Sequence, residues 1–234
     1  MKPPVRLAAA ATPSRVPVDA PSQTLTDQAY TQLEEMIVRL ELEPGSAVSE
    51  AMLSTRLGIG RTPIREALQR LARERLVRIL PRRGVIVSEI DVKSQLRLLE
   101  VRREIERLMA RTAARRASPD ERAQFAALAR AFNRAARERD DVNFLRIDRE
   151  FNELCLRAAR NEYAATAMGL MNSLSRRFWY LHFRQAADLP GTARLHANIA
   201  KAIADGKEPE AAAACDALLD DIESFTRNTV STDF

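Results

Sequence analysis

Histidine, cysteine, glycine and the aromatic residues are all scarce in this chain of 234 residues, and each shortage closes off a class of function. Two histidines, His182 and His196, leave little general acid–base capacity, and no nucleophile–base constellation is visible. Two cysteines, Cys155 and Cys215, without Cys/His spacing around them, are too few for a disulfide scaffold or a zinc finger. The seven glycines form no phosphate-cradling loop. No window approaches the roughly eighteen uncharged apolar residues of a membrane-spanning helix. The Lys2-Pro3-Pro4 opening and the short Val5–Ala11 stretch make a poor secretion signal. The expectation is a cytoplasmic protein that is not an enzyme.

What the chain does have is alanine, leucine and arginine, with 46% hydrophobic and 29% charged residues. Alanine loses no side-chain entropy on entering a helix, so the bias favours a mostly α fold. Residues 1–23, with Pro3, Pro4, Pro13, Pro17 and Pro21 and little periodicity, read as a disordered arm. Tyr30, Leu33, Ile37 and Leu40 then recur at helical steps and predict a helix over about 26–42, ended by Glu43-Pro44-Gly45. Ser49 caps a short helix through Leu57. After Gly58-Ile59-Gly60 a third helix runs from about Thr62 to Arg75, with Pro63 in its first turn and Ile64, Ala67, Leu68 and Leu71 as its buried stripe.

Leu76–Leu80 and Val85–Val87, joined by Pro81-Arg82-Arg83-Gly84, give the one good strand signal and predict a hairpin. Beyond Ile90 everything reads as helix: about 92–117, a segment to about 139 behind the Ser118-Pro119-Asp120-Glu121 capping box, about 141–159, a long segment through about 186 broken by Leu189-Pro190, then about 191–205 and 208–229. The predicted architecture is a winged helix-turn-helix over residues 24–90, with a small β-hairpin wing, followed by an all-helical bundle over 91–230.

Charge is concentrated where the wing and its helix meet. Residues 61–83 hold eight arginines against two acids, Glu66 and Glu74, whereas residues 91–234 are near balance at 24 basic and 22 acidic. In a winged helix-turn-helix the third helix enters the major groove, about 12 Å wide, with its N-terminal side chains at base edges. Arg61 and Arg65 stand one turn apart, opposite Ile64 and Leu68. Their guanidinium forks suit bidentate contact with guanine or a clamp on phosphate oxygens. Thr62, at the helix start, is placed to bond a phosphate beside free backbone N–H groups. Arg82, Arg83 and Gly84 occupy the ribbon tip, which can follow the adjacent minor groove. The plainer alternative pairs these arginines with Glu66 and Glu74 on an ordinary surface, and Arg70, Arg73, Arg75 and Arg78 read as solvated. An architectural DNA binder would carry the same patch and take any duplex alike.

Leu57-Gly58, the string Arg61-Thr62-Pro63-Ile64-Arg65-Glu66-Ala67-Leu68, Leu71 and Arg83-Gly84 resemble the winged-helix signature of GntR-family transcription regulators. The resemblance implies a homodimer on a near-palindromic operator of double-stranded DNA, with Arg61, Thr62, Arg65 and Gly84 at DNA-contact positions. Two positions depart from the family pattern: Gly60 stands where serine or threonine is common, and Ala51 where some members carry a DNA-touching arginine.

The remainder resembles the FCD ligand-binding domain of the FadR-like branch, through Glu100-Val101-Arg102 with Glu106, Asp148-Arg149-Glu150-Phe151-Asn152, Arg160-Asn161, and His196-Ala197-Asn198-Ile199 with Ala202-Ile203 and Gly206. The resemblance implies an effector site and, in many members, a metal held by an aspartate and three histidines. Asp148 and His196 match that set. Asn152 replaces the second ligand and Leu218 or Leu219 the last, and an amide is a weak ligand for zinc or nickel. The expectation is therefore no tightly held metal and no other cofactor. Arg102, Asp148, Asn152 and His196 become anchors for a small organic effector. Arg102 suits an effector carboxylate and equally suits an ion pair with Glu106. Trp179 and Tyr180, beside Phe178 and Phe183, read as core or dimer contacts. Repression relieved by a metabolite is the expected mode of action.

Overall fold

Four residues from 39 to 42 decide how the first helix ends. In the computed structural model, which describes residues 24–81, 84–186 and 188–229, helix α1 (Leu25–Val38) starts at Thr24, whose hydroxyl accepts the Asp27 amide N–H. It stops short of residue 42 because Leu40 takes a φ of +62° and the chain folds back, with the Leu42 amide bonded to the Met36 carbonyl at 3.1 Å. Leu42 is thus buried by a reversal of the chain and not by another helical turn. The arm over 1–23, together with Arg82 and Arg83, lies outside the described residues.

The next elements are β1 (Ala47–Val48), α2 (Glu50–Leu57), α3 (Arg61–Arg73), β2 (Val77–Leu80) and β3 (Gly84–Val87). The hairpin β2–β3 is antiparallel, with Val77 opposite Val87 and Leu80 opposite Gly84. Unanticipated is β1, which pairs with the other edge of β3 through Ala47–Ile86 and Val48–Val85 and makes a three-stranded sheet. Two residues are too few for an alternating pattern to show. Leu33, Ile37, Leu53, Ile64, Leu71 and Leu76 are fully buried and form, with Val48, Val85 and Val87, one hydrophobic core.

A second core lies within α4 (Val92–Arg116), α5 (Pro119–Glu138), α6 (Asp141–Ala159), α7 (Glu162–Ala186), α8 (Leu189–Ala204) and α9 (Glu208–Thr229). Phe125, Phe132, Ile147, Leu154, Ile203 and Leu219 are fully buried in it. Helix α5 opens on the expected capping box, with Ser118 and Glu121 exchanging side-chain and backbone bonds and Pro119 in the first turn. Helix α8 begins at Leu189 instead of 191, because Pro190 fits a first helical turn, where no N–H is needed, and so starts the helix it was expected to precede.

Arginines serve as side-chain caps across this bundle. Arg122 donates to the Ala114, Ala117, Ile203 and Ala204 carbonyls and so ties the ends of α4 and α8 together. Arg160, itself the left-handed cap of α6, holds Glu121 through two bonds of 2.8 Å. The two cores meet along α7. Arg177, only 3% exposed, donates to the Ser88 and Glu89 carbonyls at 2.8 and 2.9 Å, and Arg176 pairs with Glu34 of α1 at 3.0 Å. Burial pushes the Arg177 guanidinium down to about 10.

The Arg160 guanidinium holds the Glu121 carboxyl below its ordinary range. A carboxylate with a depressed folded pKa adds stability above its unfolded pKa, and that stability is lost as pH falls through the folded value. Glu121→Gln should therefore melt below the native protein at about pH 7, and the difference should shrink as the pH falls below the ordinary carboxylate range. Thermal denaturation across that range checks it.

Candidate nucleic-acid interface and the His196 cluster

The turn between α2 and α3 aims the cationic end outward. Ser49 caps α2 by accepting the Met52 amide, and Gly58 ends it in the left-handed region. The Ser54 hydroxyl then bonds the Ile59 carbonyl at 2.6 Å, which fixes the turn. Arg61, rather than Thr62, is the first residue of α3, and Gly60 stands at the N-cap without a side-chain bond. No acid lies in the first turn, so the amides and the positive end of the helix dipole are left for an anion.

Ile64, Ala67, Leu68 and Leu71 are buried, and Arg61, Thr62 and Arg65 are exposed on the opposite side. Neither arginine pairs with Glu66 or Glu74: Glu66 accepts the Thr26 hydroxyl at 2.6 Å, and Glu74 accepts the Tyr30 hydroxyl at 2.8 Å and pairs with Arg70. Arg70 also stacks on the Tyr30 ring, 3.6 Å from its centre, so its task is to join α3 to α1. Arg73, Arg75 and Arg78 are exposed. Arg65 has a partner that sequence reasoning missed. Its Nε and Nη2 donate to the two carboxylate oxygens of Glu50 at 2.8 and 2.7 Å. That bidentate bond holds the Glu50 carboxyl below its usual range and raises Arg65. Residues 15 apart on different helices leave no periodic trace in the sequence.

At the wing, Gly84 opens β3 with a φ of +92°, and a Cβ there would stand 3.3 Å from the Val48 carbonyl oxygen. The left-handed backbone and the nearness of β1 both call for glycine. Arg82 and Arg83, the other two residues expected at the tip, lie outside the described residues.

In the helical half the expected anchors only partly converge. His196 of α8 sits among three rings, with centroids 5.1 Å from Phe132, 5.6 Å from Phe144 and 5.9 Å from Phe151, and Trp179 packs on Phe144. Its Nδ1 faces the Thr192 carbonyl at 2.9 Å and its Nε2 faces Asp148 Oδ1 at 3.1 Å. Burial alone would lower its pKa; the bond to Asp148 outweighs that, and the value is raised. Nδ1 donates to the Thr192 carbonyl, which can only accept, and Nε2 shares a hydrogen bond with Asp148, so both ring nitrogens are engaged within the chain. Arg102 takes up its Glu106 alternative, with Nε donating to Glu106 Oε1 at 2.6 Å. Asn152, one turn after Asp148, is exposed.

Leu218 and Leu219 are buried apolar side chains, and among the described residues no group of three or more His, Cys, Asp or Glu could hold a metal. The donor set does not fit the family's four-ligand site. Phe178 is buried, Tyr180 is about half exposed, and the Phe183 side chain lies outside the described residues.

Comparison with known proteins decides the family. Residues 25–87 match the bacterial regulatory proteins of the gntR family, and residues 97–221 match the FCD domain. The chain belongs to the GntR family of regulators that carry an FCD domain. Among its relatives is the HTH-type transcriptional repressor RspR of Escherichia coli, 27% identical over 183 residues that cover 78% of this chain and 80% of RspR. An HTH-type regulator of Streptomyces ambofaciens is 47% identical over 62 residues, about a quarter (26%) of either chain. The solved structure of E. coli McbR/YncC superposes with a TM-score of 0.73 at 16% identity, covering 88% of this chain and 99% of that one, and shows the same fold. This GntR/FCD chain is a transcription regulator and not an enzyme, and among its described residues no helix is long and apolar enough to cross a membrane.

Gly84→Ala should destabilise this regulator by about 1–3 kcal/mol, the usual cost of a side chain in that backbone region. Chemical denaturation measures it.

Proposed function

We propose that this regulator is a repressor that binds a near-palindromic operator as a homodimer, and that a small organic effector in the helical half changes its affinity for DNA. The observation that carries the reading is the tip of α3: an uncapped helix start, exposed Arg61, Thr62 and Arg65, and a core-locked opposite face. Arg61 and Thr62 serve the phosphates, Arg65 a base edge, and the wing at Arg82, Arg83 and Gly84 the neighbouring minor groove. The repressor name of RspR supports the sign. A dimer is supported by the apolar side chains left outside on α7, Tyr163 at 80% exposure with Leu170, Tyr180 and Leu181, and by Val101 on α4. Two copies would meet half-sites about one helical turn, roughly 34 Å, apart.

The effector is a small organic molecule, a carboxylate among those that suit Arg102. His196 is buried in the bundle, Arg102 and Asp148 are partly buried, and Asn152 would meet a ligand at the rim. Affinity for DNA shifts only by the effector's differential affinity for the two arrangements of the heads.

Selection of bound fragments from genomic DNA tests the reading, with a two-fold-symmetric motif as the expected product. On that motif Arg65→Ala should cost about 1–3 kcal/mol, with a much smaller loss on random duplex. Enrichment of no motif, or equal losses on both, would sink it.

The reading includes no tightly held transition metal, because Asp148 and His196 are the two remaining donors and they satisfy each other. Elemental analysis of purified protein should find well under one equivalent of zinc or nickel. A full equivalent that disappears in His196→Ala would overturn that.

A further inference from the structure

We propose that Glu50 is a specificity-determining residue: it grips Arg65 side-on and so turns the outer edge of the guanidinium toward one base pair in the major groove. The proposal rests on the DNA-reading function above and deepens it.

The geometry separates the two edges of Arg65. A guanidinium carries five N–H bonds in one plane. Glu50 takes the Nε–H and one Nη2–H, at 2.8 and 2.7 Å. That leaves the second Nη2–H beside a parallel Nη1–H, the pair that matches O6 and N7 of guanine. Carboxylate and base therefore occupy different edges, and Arg65 can hold both at once. Among the described residues Glu50 is the one ion-pair partner of Arg65, whose side chain is otherwise 59% exposed. Without it the long arginine would have to be ordered at the moment of binding, which weakens and blurs the contact.

Glu50 itself is well anchored. It is the first residue of α2, directly after the Ser49 cap, where the helix dipole favours a carboxylate. The arginine holds its carboxyl below the ordinary range, so it stays charged at neutral pH. Stability is not what this exposed pair supplies, since such pairs contribute little to folding. A carboxylate on a surface that meets phosphates also opposes binding to any duplex. Its contribution is therefore discrimination, through a fixed guanidinium plane and through repulsion of a phosphate that would otherwise capture Arg65.

The test uses the full chain and selection from a randomised duplex pool, which gives the base preference of the native protein at each position. Glu50→Gln keeps the shape of the side chain, but it removes the charge and one of the two acceptor oxygens, so the side-on, two-oxygen grip on Arg65 is lost. In Glu50→Gln, discrimination at one base pair of each half-site should fall about tenfold, at the same pair whose preference Arg65→Ala erases. Affinity for random duplex at fixed salt should hold or rise. The double variant should be no worse at that pair than Arg65→Ala alone, because both remove one contact.

Full discrimination retained in Glu50→Gln would overturn the proposal, as would an equal loss of affinity on operator and random DNA, the mark of a folding or docking defect. A native protein that enriches no motif would overturn the DNA-reading function itself, and this proposal with it.

Discussion

A helix that buries Ile64, Ala67, Leu68 and Leu71 leaves no freedom in where Arg61 and Arg65 point. Side chains three and four apart share a face, so once the apolar stripe is committed to the core the arginines must stand in water on the other side. The rest of the N-terminal half supports that commitment. The Gly58-Ile59-Gly60 turn, locked by Ser54, sets the angle between α2 and α3. Arg70 and Glu74 bind α3 to Tyr30 of α1, and β1 closes the edge of the wing behind Gly84. The chemistry of the surface is simple because the packing beneath it is fixed.

The second half reaches that surface through α7. Leu174 packs against the N-terminal core, Arg176 pairs with Glu34, Arg177 bonds the chain just after β3, and Trp179 touches the ring cluster around His196. Six residues thus span from one core to the other. A rigid strut transmits nothing by itself; a signal needs an element with two arrangements that an effector weights differently. Arg177 is buried with two carbonyl acceptors and an Nε that has no hydrogen bond among the described residues, so any shift of α7 must keep those bonds or leave a buried cation unpaired.

Helical periodicity made most of this fold legible. The stripe of α3, the capping box at Ser118 and the breaks near Pro44 and Gly206 are local signals, and the elements lie close to where those signals put them. What stayed hidden is non-local. A two-residue strand exists only because β3 offers it an edge. The reversal at Leu40 ends the helix early and still buries Leu42. Glu50 and Arg65 meet across two helices, and Arg122 finds its four carbonyls in three places along the chain. Asp148 and His196 matched a family pattern, yet no pattern could say that Asn152 would face outward while the histidine filled both its bonds inside.

The two halves treat their cations differently, and the difference bears on what each can recognise. His196 engages both ring nitrogens with groups of its own chain, so neither is free for a ligand. Arg102 is in another position, since its Nε and Nη2 both turn to a single oxygen of Glu106 and the Nη1 edge is uncommitted among the described residues. An effector that left both pairs intact would find its donors on Arg102 and its apolar contacts on the rings around His196. One that needed the histidine would first have to break its bond to Asp148 and leave a buried polar nitrogen unpaired, which is the costlier route. Arg65 follows the same logic at the surface: engaged on one edge, it is oriented on the other. In both halves an acid within the chain sets how much of a cation remains for the partner.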